Sequence, residues 1–235
     1  MMTFQLRRSG WLGATGLVLL LATSGCSTLL PKAKPQPAFY ALDGAQIDTQ
    51  ARAPDRAAIN MAAPTLIVNQ PHAEAGFDSP RIIYVREPHK LNYFAHSDWI
   101  DTPARMLAPL IVAAVERGGA FRAVALTPST AAGDLRLDTE IVRLQQDFSA
   151  PPSRVRFTLR ATLVHSVTRQ VLAQREFDTS VASASDDTYG GVVAANQAVQ
   201  IVLDRLSGFC TEAARRWQAS PVNAPNNATG STPGR

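Results

Sequence analysis

Cysteine is nearly absent from this chain: Cys26 and Cys210 are the only two in 235 residues. A disulfide framework is therefore excluded as the device that holds the fold together. The four histidines, His72, His89, His96 and His165, lie in separate segments. None is spaced as a metal-ligating pair or placed beside a cysteine, so the pattern of a zinc site is missing. No G-x-S-x-G elbow, Walker loop or G-x-G-x-x-G turn occurs, which removes the common signatures of hydrolases, nucleotide-binding enzymes and dinucleotide-binding enzymes. The expectation is a protein that is not an enzyme and that holds no metal and no cofactor. Past residue 25 there is no apolar run of the roughly 20 residues that a bilayer-spanning helix needs. Excess charge is scarce too. The formal net charge is +4, and without residues 1–25, which contain Arg7 and Arg8 but no acid, it is +2 (21 basic against 19 acidic residues). So small a surplus gives no footprint for nucleic acid.

What is present begins at the N-terminus. Arg7 and Arg8 precede an apolar stretch from Trp11 to Ala22, which contains five consecutive aliphatic residues, Leu17 to Leu21. Some twelve residues are too few to cross about 30 Å of hydrocarbon as a helix, so the stretch reads as the h-region of a signal peptide. Thr23-Ser24-Gly25 then leads directly into Cys26. An ordinary signal peptidase site ends in small residues with no need for cysteine. Small-small-Cys after an h-region is the lipobox pattern, in which the thiol becomes a thioether to diacylglycerol. Thr23 departs from it, because Leu, Val or Ile is usual there; a plain cleaved signal with a coincidental cysteine is the competing explanation. With lipid on Cys26, Cys210 is left as a lone thiol, next to Phe209 on a helical pattern, and is expected in the core.

Residues 27–37 (STLLPKAKPQP) have no periodicity and read as an extended tether. Phe39-Tyr40-Ala41-Leu42 is a short strand signal, 43–63 reads as a loop, and Leu66-Ile67-Val68 is a strand. Arg81–Val85 and Lys90–Phe94 are close enough for a hairpin. A helix is expected over 103–117, with Thr102 as N-cap, Pro103 at the first position, Leu107, Leu110, Ile111 and Ala114 on one face, and Gly118-Gly119 as its stop. Phe121–Leu126 follows as a strand. The apolar phase of Leu135, Leu137 and Ile141 then changes to Val142, Leu144 and Phe148, which predicts a β-bulge near 141–142. Val155, Phe157, Leu159, Ala161 and Leu163 alternate with polar residues, a half-buried strand whose partner runs from Val171 to Val181. Val192, Ala195, Val199, Val202, Leu206, Phe209 and Ala213 recur at helical spacing, and a long last helix is expected over 190–218. From Ser220 onward the composition is that of a disordered tail.

Four features bear on function. Asp186-Asp187 fit the cap of the last helix better than an acid/base pair. Arg154, Arg156 and Arg160 form a stripe that suits either acidic headgroups or carboxylates on neighbouring strands, the latter preferred. Trp99, in a polar setting between a strand and a helix, fits a core anchor packing under the following helix, the reading preferred, or an exposed aromatic for partner contact. Phe77, in the 74–79 loop, is the second candidate for partner contact.

Gly25-Cys26-Ser27, the Pro-rich stretch leading to Phe39-Tyr40-Ala41-Leu42, Leu66-Ile67-Val68, Pro80-Arg81-Ile82-Ile83-Tyr84, Leu91-Asn92-Tyr93, and His96-Ser97-Asp98-Trp99 ahead of the Leu107/Leu110 helix occur in that order. In this the chain resembles the ABC-type transport auxiliary lipoprotein family, over roughly residues 39–215. Glu74–Ser79 departs from the family pattern, with Phe77 and Ser79 where other residues are usual, and the tail is longer than typical. The resemblance implies an outer-membrane lipoprotein, lipid-anchored on the periplasmic face. It implies a mammalian-cell-entry (MCE) protein as partner and, through it, an inner-membrane ABC permease and ATPase, with a lipid, in particular phospholipid, as cargo. The competing class is a structural or assembly lipoprotein of the envelope. The expected fold is α+β: one domain with a mixed, mainly antiparallel sheet and two principal helices on one face. The expected divisions are a signal peptide over 1–25, a lipidated N-terminus and tether over 26–38, the folded domain over 39–219 and a tail over 220–235.

Overall fold

Alternation of apolar and polar side chains along three long strands organises the molecule, which is described here from a computed structural model covering residues 36–43 and 60–220. Cys26, the 27–35 part of the tether, most of the 43–63 loop and the tail beyond Ser220 lie outside the described residues.

The strands are β1 (Ala38–Tyr40), β2 (Thr65–Val68), β3 (His72–Ala73), β4 (Arg81–Val85), β5 (Leu91–Trp99), β6 (Ala123–Leu126), β7 (Leu135–Asp147), β8 (Arg154–His165) and β9 (Val171–Ala182); the helices are α1 (Pro103–Arg117) and α2 (Thr188–Ala219). All these elements belong to one compact unit that begins at Pro37. β7 is the trunk of the sheet. Along one edge it pairs antiparallel with β8, which pairs antiparallel with β9. Its other edge is shared end to end by three strands parallel to it: β2 against Leu135–Leu137, β3 against Glu140–Ile141, and β4 against Gln146–Asp147. β6 extends the sheet from β2, while β5 and then β1 extend it from β4. The parallel ladders are short and the antiparallel ones long, so the mixed sheet is mainly antiparallel by paired length.

Val155, Phe157, Leu159, Ala161 and Leu163 are all sealed from solvent, and α2 lies across β8 and β9 on that side. The pairing jumps from Ile141–Leu159 to Arg143–Thr158, leaving Val142 as the extra residue. This bulge re-phases β7, which is why Leu144 and Gln146 face the core after it just as Leu137 and Ile141 do before it. In α2 every residue of the expected apolar face is buried, and α1, which buries Leu107, Ile111 and Ala114, packs beside α2. Leu110 is only half-buried, at the margin of that face.

Several boundaries differ from the sequence expectation. β5 runs to Trp99 and does not stop at Phe94, because its polar second half, including Ser97 and Asp98, is held by backbone pairing to β1, which leaves no apolar alternation to read. β3 has two residues, too few to carry a pattern. The β6 ladder starts at Ala123, after Phe121. Thr102 stands at the N-cap of α1, but its hydroxyl makes no cap bond; Asp101, which accepts from the Thr102 N–H at 2.7 Å, also pairs with Arg105 at 3.2 Å.

The start of α2 is fixed by a buried polar knot. Gln146 Nε2 donates to Ser153 Oγ at 2.9 Å and to the Asp187 carbonyl at 3.2 Å. Asp187 caps α2 by accepting from the Gly190 N–H at 2.7 Å, whereas Asp186 accepts from the Ser153 N–H at 2.7 Å and ties the β7–β8 loop to the helix start. Gly191 lies so close to the Gln146 amide that a Cβ there would collide with it, while Gly208, later in α2, has open space around it. Gly191→Ala is accordingly expected to lower stability by about 1–3 kcal/mol, and Gly208→Ala to raise it by up to about 1 kcal/mol. Urea unfolding of the two variants checks this; equal effects would remove the close-approach argument.

Both aspartates are held below their ordinary value of 3.8, Asp186 chiefly by the Ser153 N–H and Asp187 chiefly by the Gly190 N–H. A carboxylate with a lower pKa folded than unfolded contributes stability above the unfolded value, and that contribution is lost as pH falls through the folded value. Thermal melts should therefore show the midpoint falling as pH drops below about 3.8, and falling less in the Asp186→Asn, Asp187→Asn double variant.

Candidate docking surface

The sheet face away from the helices exposes apolar side chains where β1, β5 and β4 lie together. Tyr40 and Trp99 are paired across β1 and β5, and Trp99 belongs to the buried core. Alternation then turns the neighbouring pair, Phe39 and Asp98, to the open face. Asp98 pairs in turn with Arg81, whose Nε stands 4.0 Å from Asp98 Oδ1 and whose guanidinium lies 5.9 Å from the Tyr93 ring centroid. Phe39 is 62% exposed and Tyr93 48%, and Leu91, two residues before Tyr93, is also exposed. Gly76, at φ +100°, sits where a Cβ would touch Leu91 Cδ1 at 3.4 Å, so the 74–79 loop borders the same patch. Two aromatics and a leucine exposed on one polar sheet face are the kind of surface a partner covers.

The two residues expected to touch a partner fare differently. Trp99 is 4% exposed and packs in the core under the helices, so it does not present its ring to another molecule; it is the core anchor. The β4–β5 pairing shifts between Ile83–Tyr93 and Arg81–Asp98, and this irregularity in β5 sets Trp99 on the helix side of the sheet although Leu91 and Tyr93 face the open side. Phe77 is half-buried and packs against the core, leaving part of its ring at the border of the patch. Phe39, Leu91 and Tyr93, not singled out from the sequence, form the exposed surface. Their signal was there: Leu91 and Tyr93 alternate with Asn92 and Phe94, so both faces of the strand carry apolar groups.

In the arginine stripe on the β7–β8–β9 part of the open face, Arg160 and Arg156 are paired with carboxylates and Arg154 is held by Ser180 on β9. Arg160 reaches Glu140 at 2.6 Å, Glu176 at 3.1 Å and Glu74 at 4.0 Å, Arg156 reaches Asp147 at 3.8 Å, and Arg154 bonds Ser180 Oγ at 2.9 Å. The Glu176 carboxylate, then Glu140, holds Arg160 above its ordinary pKa. A groove of about 290 Å³ lies beside it, lined by His72, Asp138, Thr139, Glu140, Arg160 and Thr162. Among the described residues no group of three or more His, Cys, Asp or Glu side chains is placed to hold a metal ion. Cys210 is fully buried and burial pushes its thiol up to about 12, which keeps it neutral and unreactive.

The family model for the ABC-type transport auxiliary lipoprotein component matches residues 40–207, from the end of β1 through most of α2. The chain belongs to that family. Protein XCC0632 from Xanthomonas campestris has a similar crystal structure, with 28% identity and a TM-score of 0.62 over 67% of this chain and 89% of that one. A solved structure of an uncharacterized protein shares the fold at 12% identity and a TM-score of 0.57, over 74% of this chain and 99% of that one. No curated protein matches the chain significantly. As a member of the family it has a non-enzymatic auxiliary lipoprotein role in envelope transport or assembly. No helix among its described residues is long and apolar enough to cross a membrane.

Proposed function

We propose that this lipoprotein is the outer-membrane subunit of an MCE-type lipid transport system. In this role it is held on the periplasmic face of the outer membrane by lipid on Cys26 and docks the periplasmic end of an MCE protein there. The MCE protein connects it to an inner-membrane permease and ATPase, and the cargo is phospholipid. The outer-membrane address follows from Ser27, because aspartate after the lipidated cysteine is what tends to retain a lipoprotein at the inner membrane. The observation that carries the reading is a family-matched domain with an exposed aromatic patch on an otherwise polar sheet face, at the end of a short tether. The eleven residues of 27–37 extend about 40 Å at most, far too little to cross a periplasm. The partner must cover the remaining distance. The MCE protein sits on Phe39, Leu91 and Tyr93, with Phe77 and the 74–79 loop at the margin.

Charge on this patch should break the contact without unfolding the domain, since both side chains are exposed. Leu91→Asp with Tyr93→Asp is expected to keep its thermal midpoint and its membrane retention, and to lose the MCE protein on affinity purification from detergent-solubilised envelopes. Retention of the partner by the double variant would place the interface elsewhere. Co-purification of outer-membrane assembly factors in place of an MCE protein would favour the structural-lipoprotein class.

A further inference from the structure

The pole of the domain where the β8–β9 hairpin turns carries a second exposed apolar group, away from the patch above. The turn is well fixed. His165 N–H donates to the Gln170 carbonyl at 2.9 Å, Arg169 N–H to the His165 carbonyl at 2.9 Å, and Ser166 N–H to the Asp134 carbonyl at 3.0 Å. Arg169 takes the left-handed conformation, φ +59°, that such a tight reversal requires. On this rigid tip Val167 is 83% exposed, with Val171 exposed beside it.

Two contacts bring more groups to the same pole. The His165 ring lies 5.8 Å from that of Trp217, in the last turns of α2, and Gln218 Nε2 donates to the Ala62 carbonyl at 3.2 Å, next to Met61, which is 75% exposed. The basic residues there are Arg169, Arg215 and Arg216. Arg216 pairs with Glu212, whereas Arg169 and Arg215 have no ion pair among the described residues. The nearby Asp134 carboxylate is engaged by Arg122 at 3.6 Å. The pole thus joins exposed apolar side chains to surplus positive charge, with Arg169 on the turn and Arg215 in the adjoining last turns of α2.

We infer that this pole docks on the surface of a lipid bilayer that contains anionic lipid. Val167, Val171 and Met61 would enter the headgroup zone, and Arg169 and Arg215 would meet lipid phosphates. A protruding tip offers a protein little flat area to cover, but it suits a bilayer, whose headgroups close around it. Positive charge beside apolar side chains is the composition that binds such surfaces, through buried apolar area plus about 1 kcal/mol per basic residue. The inference shares with the proposed function only the lipid anchor at Cys26, which keeps a bilayer within reach of the domain. Docking through this pole would leave the Phe39–Tyr93 patch free for a protein.

The test uses the chain from residue 26 onward with Cys26→Ser, so that no acyl chain contributes, in flotation with vesicles of phosphatidylcholine alone or mixed with phosphatidylglycerol. Binding to the mixed vesicles and not to phosphatidylcholine alone is expected, weakening as salt rises. Arg169→Gln with Arg215→Gln should weaken it roughly 25-fold, at about fivefold per charge, and Val167→Ser should weaken it further. All these positions are exposed, so thermal midpoints should not move, and every variant keeps Lys32 and Lys34 of the tether. No binding to mixed vesicles, or binding that the tip variants leave unchanged, overturns the inference. Binding that appears only after residues 221–235 are deleted would overturn it in favour of the chain's own tail as the occupant. The anchor itself is read separately, from the mass of the wild-type protein.

Discussion

Cys26→Ser is expected to remove the protein from the membrane fraction and to abolish its labelling by a lipid precursor. No other cysteine can substitute. Cys210 is sealed in the core and its thiol is held neutral by burial, so an acyl donor finds no thiolate there. Removing a peripheral contact weakens membrane association by degrees, but removing the anchor is close to all-or-none. Each buried methylene contributes about 0.8 kcal/mol, and more than one acyl chain is needed for stable retention. The bilayer-docking pole proposed above would hold the unlipidated protein only weakly and in a salt-sensitive way, so a high-salt wash should release the variant and leave the wild type. Intact mass is the decisive readout. A mature wild-type protein of unmodified mass would mean that cleavage before Cys26 and lipidation do not occur, and that Thr23 in the lipobox marks an ordinary signal peptide.

Phe157→Ala should cost about 3–5 kcal/mol, the range for emptying a fully buried aromatic site. Phe157 is completely sealed at the centre of β8, between Leu144 on β7 and Thr179 on β9. Domains of this kind have net stabilities of roughly 5–15 kcal/mol, so the variant should be close to unfolding near physiological temperature. Arg156→Ala, one residue away on the opposite face, removes only an ion pair with Asp147 at 3.8 Å and should cost less than about 1 kcal/mol. The contrast measures the strand's register, because a slip of one residue would exchange the two faces. Denaturant unfolding with equal losses for the two variants would contradict the packing described here.

The long elements were legible because each writes its burial into a period. β8 alternates without interruption, α2 repeats its apolar residues at steps of three and four for most of its length, and the phase change at Ile141–Val142 announced the bulge. Asp187 was readable as a cap from its place before a helix. Asp186 was not, since its partner is Ser153, which only the fold brings near. The second half of β5 and the whole of β3 are held by backbone pairing to β1 and β7, and backbone hydrogen bonds leave no mark on side-chain pattern. That loss hid the exposed patch. With β5 ended at Phe94, Trp99 was readable as a core anchor only from its place before a helix; the register shift between Tyr93 and Asp98 is what puts its ring in the core while Phe39 and Tyr93 face outward. The 74–79 loop and the turn at Trp99, expected to meet a partner, do not include Phe39, Leu91 or Tyr93; the loop borders their patch through Gly76 and Leu91. The order of β2, β3 and β4 along one edge of β7 is set by long-range pairing and has no local signature.

The most direct test of the proposed role is affinity purification of the full-length, tagged lipoprotein from envelopes after brief chemical crosslinking. The account predicts recovery of an MCE-domain protein together with its permease and ATPase, and loss of all three when Leu91 and Tyr93 are replaced by aspartate. Recovery of outer-membrane protein or lipopolysaccharide assembly machinery, with no MCE protein, would contradict it.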